Sequence, residues 1–229
     1  MILFHGSTQV IEKPDLERGK PNNDYGRGFY CTPDKEMAKE WACKLNEKGY
    51  VNQYRLQTDG LRFLNLTDED HTVLNWIAIL LENRSFRLSS PLAERARDYL
   101  IEHFSVDTGA FDVITGYRAD DSYFQYAENF VENGLSLRGL DRALRLGKLG
   151  LQTTLISQKA FGKLTFEEAV PVDEKEYYPR FLERDRRARR EYRDEVAGEP
   201  FRPDDLFILD IIREEMRRDD PRLRRNLSE

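Results

Sequence analysis

The sequence predicts an α+β fold, in which strands and helices are mixed along the chain. Strand-like apolar runs are interspersed with helical stripes, but they do not form the regular strand–helix–strand repeats of a parallel sheet. No glycine-rich turn of the Rossmann or P-loop type is present, so any nucleotide would be bound by another geometry. With 229 residues, the chain is long enough for one domain with an appendage.

Composition and charge exclude several classes of function. The formal net charge of −6 is unfavourable for general binding to nucleic acid, which gains its affinity by neutralising phosphates. With only two cysteines, Cys31 and Cys43, neither a disulfide framework nor a cysteine zinc site is expected, and we predict no metal. The longest apolar stretch, 73–81, is too short to cross a bilayer, and we expect no leader before the first strand. A cytoplasmic protein with no membrane partner is therefore predicted.

The amino-terminal part of the chain predicts two short strands and a helix. The strands are expected over 2–5 and 29–31, with a loop between them. Thr32 and Pro33 are typical of a helix start, and Gly49 is expected to end that helix. One face of the helix carries three apolar side chains, those of Met37, Trp41 and Leu45.

The middle of the chain continues this mixture. Further strands are expected over 51–57, 61–66, 111–115 and 152–157. Further helices are expected from the capping residues 67–70 to about 84, from Ser90 onwards, over 121–132 and over 137–146.

The composition changes near residue 173, so we predict a domain over 1–172 and a charged helical extension over 173–229. Charges of both signs alternate over 183–194, which is typical of a solvated helix stabilised by pairs three and four residues apart. An apolar stripe over 203–218 predicts a helix that docks on its own domain.

Two glycine-containing turns near the amino terminus suggest a binding site. His5, Gly6 and Ser7 end the first strand, and Gly28 lies in the turn before Tyr30. Each turn alone has an ordinary structural explanation, but together they provide what NAD requires. Gly6 lets the backbone approach the nicotinamide amide, and Tyr30 offers an aromatic face to the cationic ring. His5 and Ser7 can form hydrogen bonds with ribose hydroxyls.

These residues resemble the ADP-ribosyltransferase superfamily, in the branch whose signature residues are His, Tyr and Glu, to which diphtheria toxin and the poly-ADP-ribose polymerases belong. His5 with Gly6 matches the first motif, and the turn that leads to Tyr30 matches the second, which makes Gly28 a cofactor-binding residue. Trp41 lies eleven positions after Tyr30, where the polymerases place a second stacking aromatic. Burial of Trp41 in the core is the alternative.

The resemblance covers about residues 1–170 and is closest to an uncharacterised bacterial family placed in that superfamily. It is carried by residues 4–42, 64–66, 119–121, the helix containing Trp76, and Gln152. It implies a split, mixed β-sheet with flanking helices.

The third motif departs from the superfamily, because Gln152 stands where an acid is expected. An amide can orient the ribose 2′-hydroxyl, but it cannot offer a full negative charge to an oxocarbenium ion. The loss of such a partner costs about 1.5–3 kcal/mol. We expect the acid to come from Asp120 or Asp121, although Asp121 is equally suited to cap the following helix. Gly150 stands where arginine-modifying members carry Glu or Gln, so arginine is not the expected acceptor.

The function that the resemblance implies is mono-ADP-ribosyl transfer from NAD to an unknown acceptor macromolecule, in a toxin or effector with an inhibitory protein partner. NAD would then be a substrate. NAD glycohydrolase activity, with water as the acceptor, is an alternative within the same class. A second alternative is a non-catalytic module that binds NAD or a protein. The superfamily's RNA 2′-phosphotransferase is disfavoured because its arginine contacts to phosphate cannot be placed here.

Overall fold

A computed structural model describes residues 1–119, 121–146, 150–198 and 200–225. Seven strands in two sheets and nine α-helices are found among these residues, which confirms the α+β class. The finer expectation, a sheet split as in the ADP-ribosyltransferases, stays a prediction.

The strands are β1 (Ile2–Ser7), β2 (Phe29–Cys31), β3 (Gly49–Leu56), β4 (Phe63–Asn65), β5 (Val113–Tyr117), β6 (Leu151–Leu155) and β7 (Leu164–Val172). The helices are α1 (Lys35–Ala42), α2 (Val73–Asn83), α3 (Pro91–Phe104), α4 (Asp121–Val131), α5 (Leu137–Arg145), α6 (Gln158–Phe161), α7 (Glu174–Glu191), α8 (Ile208–Arg213) and α9 (Pro221–Arg225). In the described ranges, none of these helices combines the length and the apolar character that a bilayer crossing needs.

The chain forms two compact units, each assembled from three segments. The first unit comprises Met1–Asn65, Asp107–Gly116 and Gly150–Arg184. The second unit comprises Leu66–Val106, Tyr117–Leu149 and Asp185–Glu229. The division expected from composition, a domain over 1–172 and an extension over 173–229, stays a prediction.

A backbone bridge links the two sheets of the first unit. One sheet has the antiparallel order β1-β3-β7, and the other has the mixed order β2-β6-β5-β4. In the mixed sheet, β2 is antiparallel to β6 and β4 is parallel to β5. Phe4 and Thr32 exchange backbone hydrogen bonds of 2.8 and 2.9 Å, which join β1 to the residue that follows β2.

Two apolar clusters hold the first unit together. One packs the inner faces of the sheets and consists of Leu3, Phe29, Cys31, Tyr54, Leu56, Val113, Leu155 and Ala160. The other packs α1 and α7 on the first sheet and consists of Ala38, Ala42, Cys43, Val51, Val172 and Tyr177. Full burial of each large side chain contributes about 1.5–3 kcal/mol, so these clusters fix the positions of β1, β2 and α1.

Charged contacts also fasten α7 to α1 within the first unit. Arg184 donates to both oxygens of the buried Glu40 carboxylate at 2.6 Å. The Tyr177 hydroxyl accepts from Lys39 at 3.0 Å and donates to Glu36 at 2.9 Å. The charged helix is therefore only partly solvated, and its residues up to Arg184 stabilise α1.

The second unit is helical and is organised by α2, whose residues are buried on nearly all sides. Trp76 is fully buried, and its Nε1 donates to the Tyr117 carbonyl oxygen at 3.0 Å. Asn75 Nδ2 donates to the Phe104 carbonyl oxygen at 2.8 Å. The apolar tail stripe is buried at Ile208, Ile211, Ile212 and Met216.

Three of the expected element bounds were wrong. The first helix ends at Ala42 rather than Gly49, is capped by Asp34 rather than Thr32, and leaves Leu45 62% exposed. The helix expected after residue 70 begins at Val73, where Asn75 Oδ1 accepts from the Thr72 amide. The helix expected over 203–218 is only the short α8.

Candidate functional site

The predicted site residues His5 and Tyr30 lie together where the two sheets meet. His5 Nδ1 lies 2.7 Å from the backbone oxygen of Tyr30, and the imidazole stacks on Phe29 with ring centroids 4.5 Å apart. A carbonyl oxygen can only accept, so Nδ1 carries the hydrogen and Nε2 is the acceptor. Burial lowers the pKa of His5, although its hydrogen bond to Tyr30 opposes that effect. The ring is therefore neutral at pH 7, with an acceptor nitrogen fixed in direction.

The backbone N–H and C=O groups of Gly6 point away from β3, to the side of β1 on which Phe4 pairs with Thr32. Met1 and Leu56 exchange backbone hydrogen bonds across β1 and β3, whereas Phe4 bonds to Thr32 on the opposite side. Backbone groups alternate in direction along an antiparallel strand, so those of Gly6, two residues after Phe4, point to the same side as those of Phe4. The strand therefore presents one N–H and one C=O group at this edge, the pair that a primary amide can bind.

Gly6 has a structural role as well. A Cβ at this position would lie 2.1 Å from the carbonyl oxygen of Ala38 and 2.6 Å from the amide nitrogen of Ala42. Helix α1 therefore packs directly on β1 because residue 6 has no side chain. The sequence suggested only that Gly6 lets a ligand approach the backbone of β1. The structure shows that it also lets helix α1 approach that strand.

The Tyr30 side chain is held by the loop that precedes it. Its hydroxyl accepts from the Tyr25 amide at 3.0 Å and donates to the Gly26 carbonyl oxygen at 2.6 Å. Gly26 has a φ of 72°, a conformation that favours glycine. The Tyr25 and Tyr30 rings are 7° from parallel, with centroids 6.4 Å apart.

Two further predicted binding residues lie next to this loop and strand. A Cβ at Gly28 would lie 2.7 Å from the Leu155 carbonyl oxygen, so the glycine allows β2 and β6 to approach. Ser7 ends β1, and its hydroxyl accepts from the Gln9 amide at 3.2 Å. For both residues, contact with a cofactor stays a prediction.

Trp41 lies on the helix that covers Gly6. Its backbone carbonyl carbon is 3.0 Å from the position of a Cβ at Gly6, and its side chain is partly exposed. The two alternatives for Trp41, ring stacking and core burial, remain open. Tyr25 is an aromatic neighbour of Tyr30 that the sequence did not indicate.

Gln152 lies on the same face of the sheet as Tyr30. Tyr30 is the register partner of Thr154, and side chains two residues apart on a strand share a face. Gln152 is 3% exposed, and its Nε2 donates to Asp24 Oδ2 at 2.7 Å. Thr154 is fully buried, and within the described ranges its hydroxyl has no hydrogen-bond partner.

Asp24 is the functional candidate that sequence reasoning missed. It is 5% exposed, directly before Tyr25, and it contacts a residue 128 positions away in the chain. No local pattern marks a loop aspartate whose partner is so distant. The acid that we expected was Asp120, which lies outside the described residues. Asp121 begins α4 in the second unit, and its side chain is also outside the description.

A separate cavity of about 360 Å³ lies within the second unit. His71 Nδ1 is 2.7 Å from Asp68 Oδ1, and Arg145 forms a salt bridge with Asp141 at 2.9 Å on its wall. Charged side chains of both signs line this cavity, including Glu69 and Arg224, so its charge alone favours no class of ligand.

A family model described as "Protein of unknown function (DUF3990)" matches residues 1–166 of the chain. The matched range contains His5, Asp24, Tyr30 and Gln152, and it agrees with the expected resemblance to an uncharacterised family. No curated protein and no solved structure matches the chain.

Proposed function

The chain belongs to the DUF3990 family, and we propose that it is a mono-ADP-ribosyltransferase that uses NAD as its substrate. The bond between nicotinamide and ribose breaks, and its electron pair leaves with the nicotinamide nitrogen, which becomes neutral. A nucleophile of the acceptor then forms a bond to the ribose C1′ and loses its proton. The transition state resembles the oxocarbenium ion of glycoside hydrolysis.

The observation that carries this proposal is the contact between His5 and Tyr30. Nδ1 of His5 is engaged by the Tyr30 carbonyl oxygen, which leaves Nε2 as an acceptor for a ribose hydroxyl. The aromatic ring of Tyr30 projects from the same short strand and offers a face to the cationic nicotinamide. Two residues 25 positions apart thus provide the ribose contact and the ring contact together.

Gly6 supports the proposal because its backbone N–H and C=O groups point to the open edge beside Tyr30. A carboxamide has one donor side and one acceptor side, so it can bind both backbone groups at once. In this assignment Ser7 binds the ribose, Gly28 lines the turn under the ring, and Trp41 stacks on the second face of nicotinamide. Gln152 orients the ribose.

Hydrolysis of NAD is the close alternative, since water can replace the acceptor without any change in the residues named. A module that binds NAD without cleaving it is the second alternative, and it is favoured by the amide at Gln152. The acceptor macromolecule and an inhibitory protein partner also belong to the proposal.

The test is release of nicotinamide from NAD, measured by chromatography, together with NAD affinity measured by calorimetry. We expect wild-type protein to release nicotinamide, and His5→Gln and Tyr30→Ala to lose roughly tenfold or more of the rate, on the order of one to two kcal/mol of transition-state binding. His103→Gln is a matched control, because that imidazole belongs to the second unit and packs on Tyr99.

Three results would be informative in different ways. Wild-type protein that neither binds nor cleaves NAD contradicts the proposal. Binding without release, unaffected by lysate as a source of acceptors, favours the binding module. Label transferred from NAD to a lysate component distinguishes a transferase from a glycohydrolase and identifies the acceptor.

A further inference from the structure

We propose that the carboxylate of Asp24 supplies the negative charge that the third motif lacks, and that Gln152 positions it. This inference rests on the proposed function, and it assigns a catalytic residue to the same site. The pair is a buried amide–carboxylate hydrogen bond of 2.7 Å between Gln152 Nε2 and Asp24 Oδ2.

The location of Asp24 follows from its neighbours. Asp24 directly precedes Tyr25, whose amide is bonded to the Tyr30 hydroxyl at 3.0 Å. Gln152 shares the Tyr30 face of the sheet through the register of β2 and β6. The carboxylate is therefore brought to that face from both directions, by the loop before Tyr30 and by the strand beside it.

A purely structural role explains this carboxylate less well. The loop is already fixed by both hydrogen bonds of the Tyr30 hydroxyl and by a 2.9 Å bond from the Gly26 amide to the Asn23 carbonyl oxygen. Burial of a charged group is costly unless the charge is compensated, and a neutral residue would tie a loop with less desolvation. The 5% exposure of Asp24 and its bond to Gln152 thus point to a use of this carboxylate beyond fixing the loop.

The chemistry needs a negative group at this point. As the glycosidic bond breaks, positive charge develops on the ribose C1′ and ring oxygen. A preorganised carboxylate in a site that excludes water stabilises that charge and can accept a hydrogen bond from the 2′-hydroxyl. Asp24 is unchanged at the end of the cycle, because the electron pair leaves with nicotinamide and the proton leaves from the acceptor. Gln152 does not react and holds one carboxylate oxygen in place.

Asp24→Asn removes the charge but leaves an amide oxygen that can still accept from Gln152. We expect the rate of nicotinamide release to fall by about 10- to 150-fold, the range for loss of one charged hydrogen-bond partner, with NAD affinity nearly unchanged. Asp59→Asn is the matched control, because Asp59 lies exposed in a turn of the same unit, and it should retain the wild-type rate.

The exchange of the two groups gives a stricter test. In the double variant Asp24→Asn/Gln152→Glu the amide and the carboxylate change places, and we expect at least about tenfold more activity than in Asp24→Asn alone. Gln152→Leu should lower kcat more than it raises KM, because the orientation that Gln152 gives to the ribose and to Asp24 matters most in the transition state. If Asp24→Asn does not fold, the rate of nicotinamide release by the double variant Asp24→Asn/Gln152→Glu is compared directly with that of wild-type protein.

The outcomes separate this inference from the function on which it rests. Wild-type release of nicotinamide with Asp24→Asn within about twofold of it overturns the role of Asp24 and leaves the proposed function standing. A double variant Asp24→Asn/Gln152→Glu that folds but is inactive also overturns the role of Asp24 and leaves the proposed function standing. Wild-type protein that binds NAD without cleaving it overturns the role of Asp24, and protein that does not bind NAD overturns both proposals.

Discussion

The imidazole of His5 is held by the backbone of Tyr30 and not by its side chain, through the 2.7 Å contact between Nδ1 and the carbonyl oxygen. The Tyr30 phenol faces a different group of partners, the amide of Tyr25 and the carbonyl of Gly26. Changes in the Tyr30 side chain therefore disturb the loop while they leave the orientation of His5 intact. The contributions of the two residues can be measured separately.

Tyr30→Phe keeps the ring and removes the hydrogen bonds of the hydroxyl to the Tyr25 amide and the Gly26 carbonyl oxygen. We expect the free energy of unfolding to fall by about 1–3 kcal/mol, since each lost bond contributes about 0.5–1.5 kcal/mol. NAD affinity should fall much less than in Tyr30→Ala, which also removes the aromatic face. Tyr50→Phe is the control, because the Tyr50 hydroxyl has no hydrogen bond within the described part of the chain. Equal stability of the two Phe variants would contradict the role of the hydroxyl.

The stability of the protein should depend on pH through His5. Burial lowers its pKa from the ordinary value of 6.5, so below that value the unfolded chain binds the proton more readily than the folded one. The share of the free energy of unfolding that depends on a neutral His5 is complete above pH 6.5. It is lost as the pH falls toward the lowered pKa of the folded state. The slope is at most about 1.4 kcal/mol per pH unit.

The measurement is urea unfolding of wild-type protein and His5→Gln at about pH 7.5 and about pH 5.5. The difference in free energy between the two proteins should shift against the wild type at the lower pH. The other two histidines are common to both proteins, so they cancel in this comparison. A difference that does not change with pH would show that the pKa of His5 is not lowered.

Gly6→Ala should displace α1 from β1. The new Cβ would lie 2.1 Å from the Ala38 carbonyl oxygen, a clash with backbone that no side-chain rotation relieves. We expect a loss of about 1–3 kcal/mol or more in the free energy of unfolding, together with loss of NAD binding. Gly162→Ala is the matched control, because its Cβ would have contacts of 3.5 Å and its φ is −65°. A neutral Gly6→Ala would mean that α1 does not pack against this strand.

The contact between Arg184 and Glu40 gives a prediction about the support of α1. Arg184→Met leaves the buried Glu40 carboxylate without its bidentate partner, and loss of one member of a buried pair costs about 3–5 kcal/mol. Because Arg184 is 21% exposed, we expect a value at the lower end of this range. Adding Glu40→Gln should recover most of the loss, as measured by denaturant unfolding.

Arg180→Met is the control for that pair, since its ion pairs with Glu176 of α7 and Glu36 of α1 are both exposed to solvent. Exposed pairs contribute about 0–1 kcal/mol. If Arg180→Met and Arg184→Met were equally destabilising, the pair with Glu40 would have no special role in holding α1.

The elements with local signals could be predicted from the sequence. Ser90 and Pro91 start α3 as expected, because the Ser90 hydroxyl accepts from the Ala93 amide and Pro suits the first turn. The short β2 was also predicted correctly over 29–31. In both cases neighbouring residues determine the structure, and distant contacts only support it.

The elements set by distant contacts could not be predicted in this way. α1 stops at Ala42 because Gly49, at the start of β3, packs against the Ala42 backbone, with a Cβ position only 2.6 Å from its carbonyl oxygen. β7 was not predicted, since its exposed residues Glu167 and Glu168 obscure the apolar alternation of a strand paired with β3. Asp24 was missed for the same reason, because only the folded chain brings it to Gln152.

The several contacts of Tyr30 bear on how members of the family can be sorted. A lineage that had lost all catalysis would still keep this tyrosine, because its phenol hydroxyl organises the surrounding backbone. Its retention is therefore a poor marker of an active enzyme. Joint variation at positions 24 and 152, with acid and amide kept or exchanged together, would be the more telling signature in an alignment.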